Sequence, residues 1–132
     1  MGTYLVGTAV GAAAFAILDG IWLGLVMSGF YRDQLAAIGR IENGRFTPDW
    51  AAAAAVYVLL GAGLAILAVP RASSVGSAAM WGAMLGLVIY GVYDLTNVAT
   101  LKHYPLTLAL VDIGWGTTAA SLGAVAVFVA NR

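Results

Sequence analysis

The sequence predicts an all-α integral membrane protein, an up-down four-helix bundle forming a single transmembrane domain over residues 1–132. Three observations carry this. Of the residues, 62% are hydrophobic and only 9% charged, whereas a soluble domain carries about 25% charged residues. The apolar residues fall into four stretches that meet the ~20 residues a helix needs to cross a bilayer. Those stretches are continuous and do not alternate polar with apolar, as barrel strands would. A soluble globular enzyme is thereby excluded. Six Lys and Arg balance six Asp and Glu, so no basic field exists for nucleic acid. The absence of cysteine removes disulfides, thiolate metal sites and thiol catalysis.

Residues 3–29 form the first span, broken only by Asp19. It has no positive n-region and is longer than the apolar core of a signal peptide, so cleavage is not expected. Residues 31–49 are a polar connection carrying Arg32, Asp33, Arg40, Glu42 and Arg45. It closes on Thr47-Pro48-Asp49, a stop-and-restart signal, and residues 33–38 suit a short interfacial helix. Residues 50–69 form the second span, without charge and with Tyr57 as its one polar group beyond Ala51. It is expected mainly to face lipid, leaving spans one, three and four as the functional core. Residues 75–100 and 106–130 form the third and fourth spans, interrupted only by Asp94 and Asp112.

The turns at 70–74 and 102–105 are short, which makes neighbouring spans antiparallel. Loops one and three hold Arg32, Arg40, Arg45 and Lys102, against Arg71 and Arg132 on the other side. The positive-inside rule puts those two loops in the cytoplasm and both termini outside. The pairs Gly7/Gly11, Gly20/Gly24 and Gly82/Gly86 have the small-xxx-small spacing that lets helices approach closely, within the bundle or between copies in a homo-oligomer.

Three ionisable residues lie well inside the spans: Asp19, Asp94 and Asp112. At 1.5 Å per residue all three sit roughly 10 to 15 Å below the surface bearing loops one and three. A charge in a membrane helix costs roughly 2.5 to 3.5 kcal/mol, so such residues face the bundle interior. Each aspartate has a polar residue at i+3, on its own helix face: Trp22 after Asp19, Asn97 after Asp94 and Trp115 after Asp112. Tyr90, Asp94 and Asn97 make one stripe on the third span, with Tyr93 alongside. Asp112 shares a stripe with Gly116, Ala119 and Gly123, small enough to admit a helix or a ligand. No Lys or Arg lies at this depth, and close carboxylates in a low-dielectric site cannot all stay ionised. Neither a metal nor a cofactor is expected, because no ligand-spacing motif is present and one histidine, His103, cannot build a zinc site.

Several segments are distinctive: Tyr93-Asp94-Leu95-Thr96-Asn97 with Ala99-Thr100-Leu101-Lys102, Val111-Asp112-Ile113-Gly114-Trp115-Gly116-Thr117, Leu18-Asp19-Gly20-Ile21-Trp22-Leu23-Gly24, and Phe30-Tyr31-Arg32. In this order they resemble the bacterial predicted membrane protein family called domain of unknown function 2177, over essentially the whole chain. The motifs around Asp94 and Asp112 are the specific part. The resemblance implies four helices in a bacterial inner membrane and, by the kinds of genes that neighbour family members, membrane-lipid physiology. It implies no particular reaction. Two departures stand out. Val56-Tyr57-Val58-Leu59-Leu60 is poorer in aromatics than the family pattern, and His103-Tyr104 stands where a tryptophan is expected before the proline. Neither is expected to touch an aspartate.

Three functions remain open at this level. In the first, the acids, with Asn97, Tyr90, Tyr93, Trp22 and Trp115, form a site for a small amphiphilic ligand or for protons, among membrane lipids. In the second, the chain is an accessory subunit of a membrane partner protein, and the aspartates are a polar lock. In the third, an aspartate is the general acid of a lipid-modifying enzyme. No nucleophile pair or catalytic set supports the third reading.

Overall fold

In the computed structural model, which describes residues 1–132, four helices are long and apolar enough to cross a membrane: Gly2–Val26, Trp50–Arg71, Val75–Thr100 and Leu106–Ala130. The last two keep the bounds read from sequence. The first ends earlier. α1 (Gly2–Ile21) widens into a π-helical turn at Trp22–Val26 and stops at Met27, whose φ of −121° and ψ of 17° leave the helix. α2 (Ser28–Gln34) follows and buries Tyr31.

The short helix therefore overlaps the expected stretch, residues 33–38, only at Asp33 and Gln34. Ala36, Ala37 and Ile38 are exposed and offer no face for a helix to bury there. The same connection holds a hairpin that patterning missed, β1 (Ile41–Glu42) antiparallel to β2 (Arg45–Phe46). Its turn is Asn43-Gly44, with φ of 50° and 73°. Positive φ at both central residues is what a type I′ turn requires, and Asn-Gly is the strongest short signal for one.

α3 (Trp50–Gly63) is capped by Asp49, whose side chain accepts from the Ala52 N–H at 3.0 Å. It continues as a π turn at Leu64–Ala68 and a 3₁₀ turn at Val69–Arg71. α4 (Val75–Thr100) opens on a capping box in which Ser74 and Ser77 satisfy each other's backbone N–H. α5 (Leu106–Ala130) starts directly after Pro105.

Small residues decide how these helices meet. A Cβ on Gly82 or Gly86 would run into the Ala120 or Gly116 carbonyl oxygen, so α4 and α5 lie backbone to backbone. A Cβ on Gly11 would stand 2.9 Å from the Gly61 Cα, which brings α1 equally close to α3. The third pair behaves differently. Gly20 and Gly24 have nothing within 4 Å of where a Cβ would stand, and both line a cavity.

The expectation for the second span needs correction. Leu60, Gly61, Leu64, Ala65 and Ala68 are buried, so its second half belongs to the core with Phe15, Ala119, Ala124 and Val127. The small Gly61 and Ala65 let α1 and α5 close on it; polarity alone carried no trace of this. Its first half stays largely exposed, Leu59 by 71%. α4 touches the second span mainly through its last turns, at Leu64–Arg71. Toward the other end the two helices part, and a wedge opens between them.

Candidate functional site

The wedge is a cavity of about 960 Å³. Its apolar walls include Val56, Leu59 and Leu60 from α3, Ile89 from α4 and Leu108 from α5. Asp19 and Asp112 also line it, with Tyr31, Tyr57, Tyr90, Tyr93 and Tyr104. Five helices and the turn between α4 and α5 thus bring their polar groups to the end of the bundle that carries the two aspartate-side loops.

The carboxyls are satisfied in a crossed pattern. Asp19 is 8% exposed and accepts the indole N–H of Trp115 at 2.7 Å. The Tyr57 hydroxyl lies close to the same carboxyl. Asp112 Oδ1 accepts the Tyr31 hydroxyl at 2.7 Å, and that hydroxyl oxygen accepts the Trp22 indole N–H at 3.2 Å. Asp94 is fully buried. Its Oδ1 accepts the Tyr104 hydroxyl at 2.5 Å, and the only other side chain in hydrogen-bonding range of the carboxyl is Asp112. Asp94 Oδ2 has no donor.

The i+3 neighbours therefore do not serve their own aspartates. Trp115 serves Asp19, Trp22 reaches Asp112 only through Tyr31, and Asn97 meets Tyr93 and Tyr104 instead of Asp94. Trp22 and Trp115 stack at the crossing, centroids 4.5 Å apart and 3° from parallel. Tyr90 places its ring on Gly116, where any Cβ would strike it.

Tyr31, Tyr57 and Tyr104 are the site residues that sequence reasoning did not select. The signals were faint: Tyr57 is the lone polar group of its span, and Tyr104 precedes a proline in a short turn. For Tyr31 and Tyr104, which lie outside the spans, burial pushes the phenol well above the ordinary tyrosine range. The Asp112 charge adds to this for Tyr31, and the bond donated to Asp94 adds to it for Tyr104. Both remain hydrogen-bond donors throughout the physiological range.

The family described as Predicted membrane protein (DUF2177) matches residues 4–129, a stretch that contains every residue of this cluster. The chain belongs to that family. No curated protein and no solved structure matches it. Within the DUF2177 frame, the two departures seen in sequence acquire a place. Tyr57, in the aromatic-poor segment of the second span, reaches Asp19, and Tyr104 bonds Asp94. The expectation that neither region touches an aspartate is thus overturned. Both tyrosines come from elements far from the aspartates' own helix faces, so spacing along one helix could not reveal them.

Proposed function

We propose that this multi-pass membrane protein, in the inner membrane of a bacterium, takes an amphiphilic ligand from the bilayer. The apolar chain lies in the wedge between α3 and α4, and the polar head meets Asp19 and Asp112. The observation that carries this is the cavity itself. Its size falls within the range of about 300–1,000 Å³ usual for small-molecule sites, and its lining is apolar apart from two carboxyls and the tyrosines. Residues on its rim such as Leu59 and Tyr93 are themselves exposed, which favours entry from the side, out of the lipid.

A proton belongs to this reading. Ionised carboxylates only accept hydrogen bonds, so Asp94 and Asp112 bond each other only with a proton between them. A head group that engages Asp112 competes for that proton and links binding to its release. Gly20→Phe supplies the test, because it fills the wedge from a position with open space around it. Native mass spectrometry of mildly extracted protein should find one amphiphile retained by the parent and none by Gly20→Phe. A parent that carries none, or a filled variant that carries it equally, counts against the proposal.

The second reading is a lock in a non-catalytic accessory subunit. Its support is that Trp115, Tyr31 and Tyr104 each tie one carboxyl to a separate element. In that case aspartate-to-asparagine substitutions leave function intact.

A further inference from the structure

We infer that the head group held at Asp19 and Asp112 is a protonated amine; the inference rests on the amphiphile-binding reading and narrows its ligand class. Four side-chain donors at this site are committed to the network around the carboxyls. The Trp115 N–H goes to Asp19, the Trp22 N–H to Tyr31, and the Tyr31 and Tyr104 hydroxyls to Asp112 and Asp94. The Asp19 and Asp112 carboxyls, which line the cavity, accept these bonds at Oδ1 only, so each keeps acceptor capacity at its other oxygen. A ligand that engages these two carboxyls must therefore donate.

Charge narrows the choice further. Every hydrogen bond to the three carboxyls comes from a neutral indole or phenol. No Lys, Arg or His side chain pairs with any of the three, so a carboxylate here stands without a compensating cation in a region taken out of water. Buried charge is tolerated when it is paired and hydrogen-bonded. The acids do not converge as a metal cage requires, so compensation spread across the Asp19–Asp112 wall suits an ammonium better than an ion at one point. The aromatic rings beside it agree, since tyrosine faces attract cations, and Tyr57, Tyr90 and Tyr93 line the same cavity. An anionic head would meet the like charge of the carboxyls, with only neutral phenols such as Tyr90 and Tyr93 to receive it. An alcohol would donate but leave the charge standing.

The probes are dodecylamine, dodecanol and dodecanoate, titrated into the full-length protein in phosphatidylcholine nanodiscs. Tryptophan fluorescence reads the stacked Trp22–Trp115 pair, and protein-free discs correct for partitioning. The amine should bind about tenfold or more tightly than the alcohol, in line with the cost of unpairing a buried charge, and the carboxylate weakest. Equal binding of amine and alcohol, or tighter binding of dodecanoate, overturns the head-group inference while leaving the cavity reading in place. Binding by none of the three overturns both. In Asp19→Asn the preference for amine over alcohol should collapse while dodecanol still binds; Asp112→Asn is the equivalent test if the first variant folds poorly. A full preference kept by the folded variants also overturns the assignment.

Discussion

Trp22 and Trp115 stack face to face with centroids 4.5 Å apart, yet their N–H groups point to different partners, one to Tyr31 and the other to Asp19. The stack joins the end of the first span to the middle of the fourth. Trp115→Phe should keep most of the stacking but leave Asp19 without its indole donor, at a cost of about 1 kcal/mol on membrane hydrogen-bond magnitudes. Trp22→Phe should cost less, because Tyr31 still donates to Asp112. Reversible unfolding in mixed micelles measures both. Equal losses would mean that the stack, and not the bond to Asp19, carries the stability.

Asp94 separates lock from site. Asparagine keeps an acceptor for Tyr104 but removes the ionisable proton, whereas leucine removes both. Asp94→Leu should destabilise by about 1 kcal/mol. Asp94→Asn should fold normally and lose the pH dependence of amphiphile binding. If Asp94→Asn, Asp19→Asn and Asp112→Asn all keep the parent's binding and pH profile, the acids act as a lock only.

The glycines rank by what stands opposite them. Gly86→Val would drive a side chain into the α5 backbone and should destabilise by about 2 kcal/mol, the usual scale of overpacking. Gly24→Ala enters open space and should stay within about 0.5 kcal/mol of the parent. The same unfolding assay compares them, and a Gly86→Val protein of parental stability would contradict the close α4–α5 approach.

Tyr31 and Tyr104 carry a pH signature. Their phenol values are raised above 10.0 by burial first, then by the neighbouring carboxyls. A group whose value is higher folded than unfolded holds its proton more tightly in the fold. Its contribution is fully present below about 10 and is lost as pH rises from there toward the folded value. Stability should thus fall on alkalinisation beyond about 10, with less of the fall in Tyr104→Phe. Absorbance titration should show these two phenols ionising only as the protein unfolds; early ionisation of both would contradict their burial.

Membrane orientation follows from loop charge. A reporter fused after Arg132 should read outside, and one inserted at the Asn43-Gly44 turn should read cytoplasmic. The opposite pattern reverses the assignment.

Much of the architecture was legible because a bilayer imposes one rule on length and polarity. The third and fourth spans could be bounded at Val75–Thr100 and Leu106–Ala130 by hydropathy alone. The first span ended earlier than its apolar run because a π turn and Met27 break it, and hydropathy is blind to both. The buried half of the second span escaped notice because its contacts rest on Gly61 and Ala65, residues that look the same against lipid or helix. Asp19, Asp94 and Asp112 stood out as charges in apolar runs. Their donors did not, since Tyr31, Tyr57 and Tyr104 each come from a different element, and spacing along one helix says nothing about what the opposite helix presents.

The crossed donors also bear on how the chain is made. Synthesis delivers the first span long before the fourth, so Asp19 enters the membrane without Trp115, which lies 96 residues downstream. Tyr31 is in place early but has no Asp112 to meet until the last helix arrives. A nascent protein still missing its fourth span therefore carries a carboxyl stripped of its main donor and a phenol without its acceptor. Such a half-made product is the kind that membrane proteases and insertion chaperones recognise. Truncation after Lys102, which removes Trp115 and Asp112 together, should therefore shorten the protein's lifetime in cells far more than the loss of one helix's packing would.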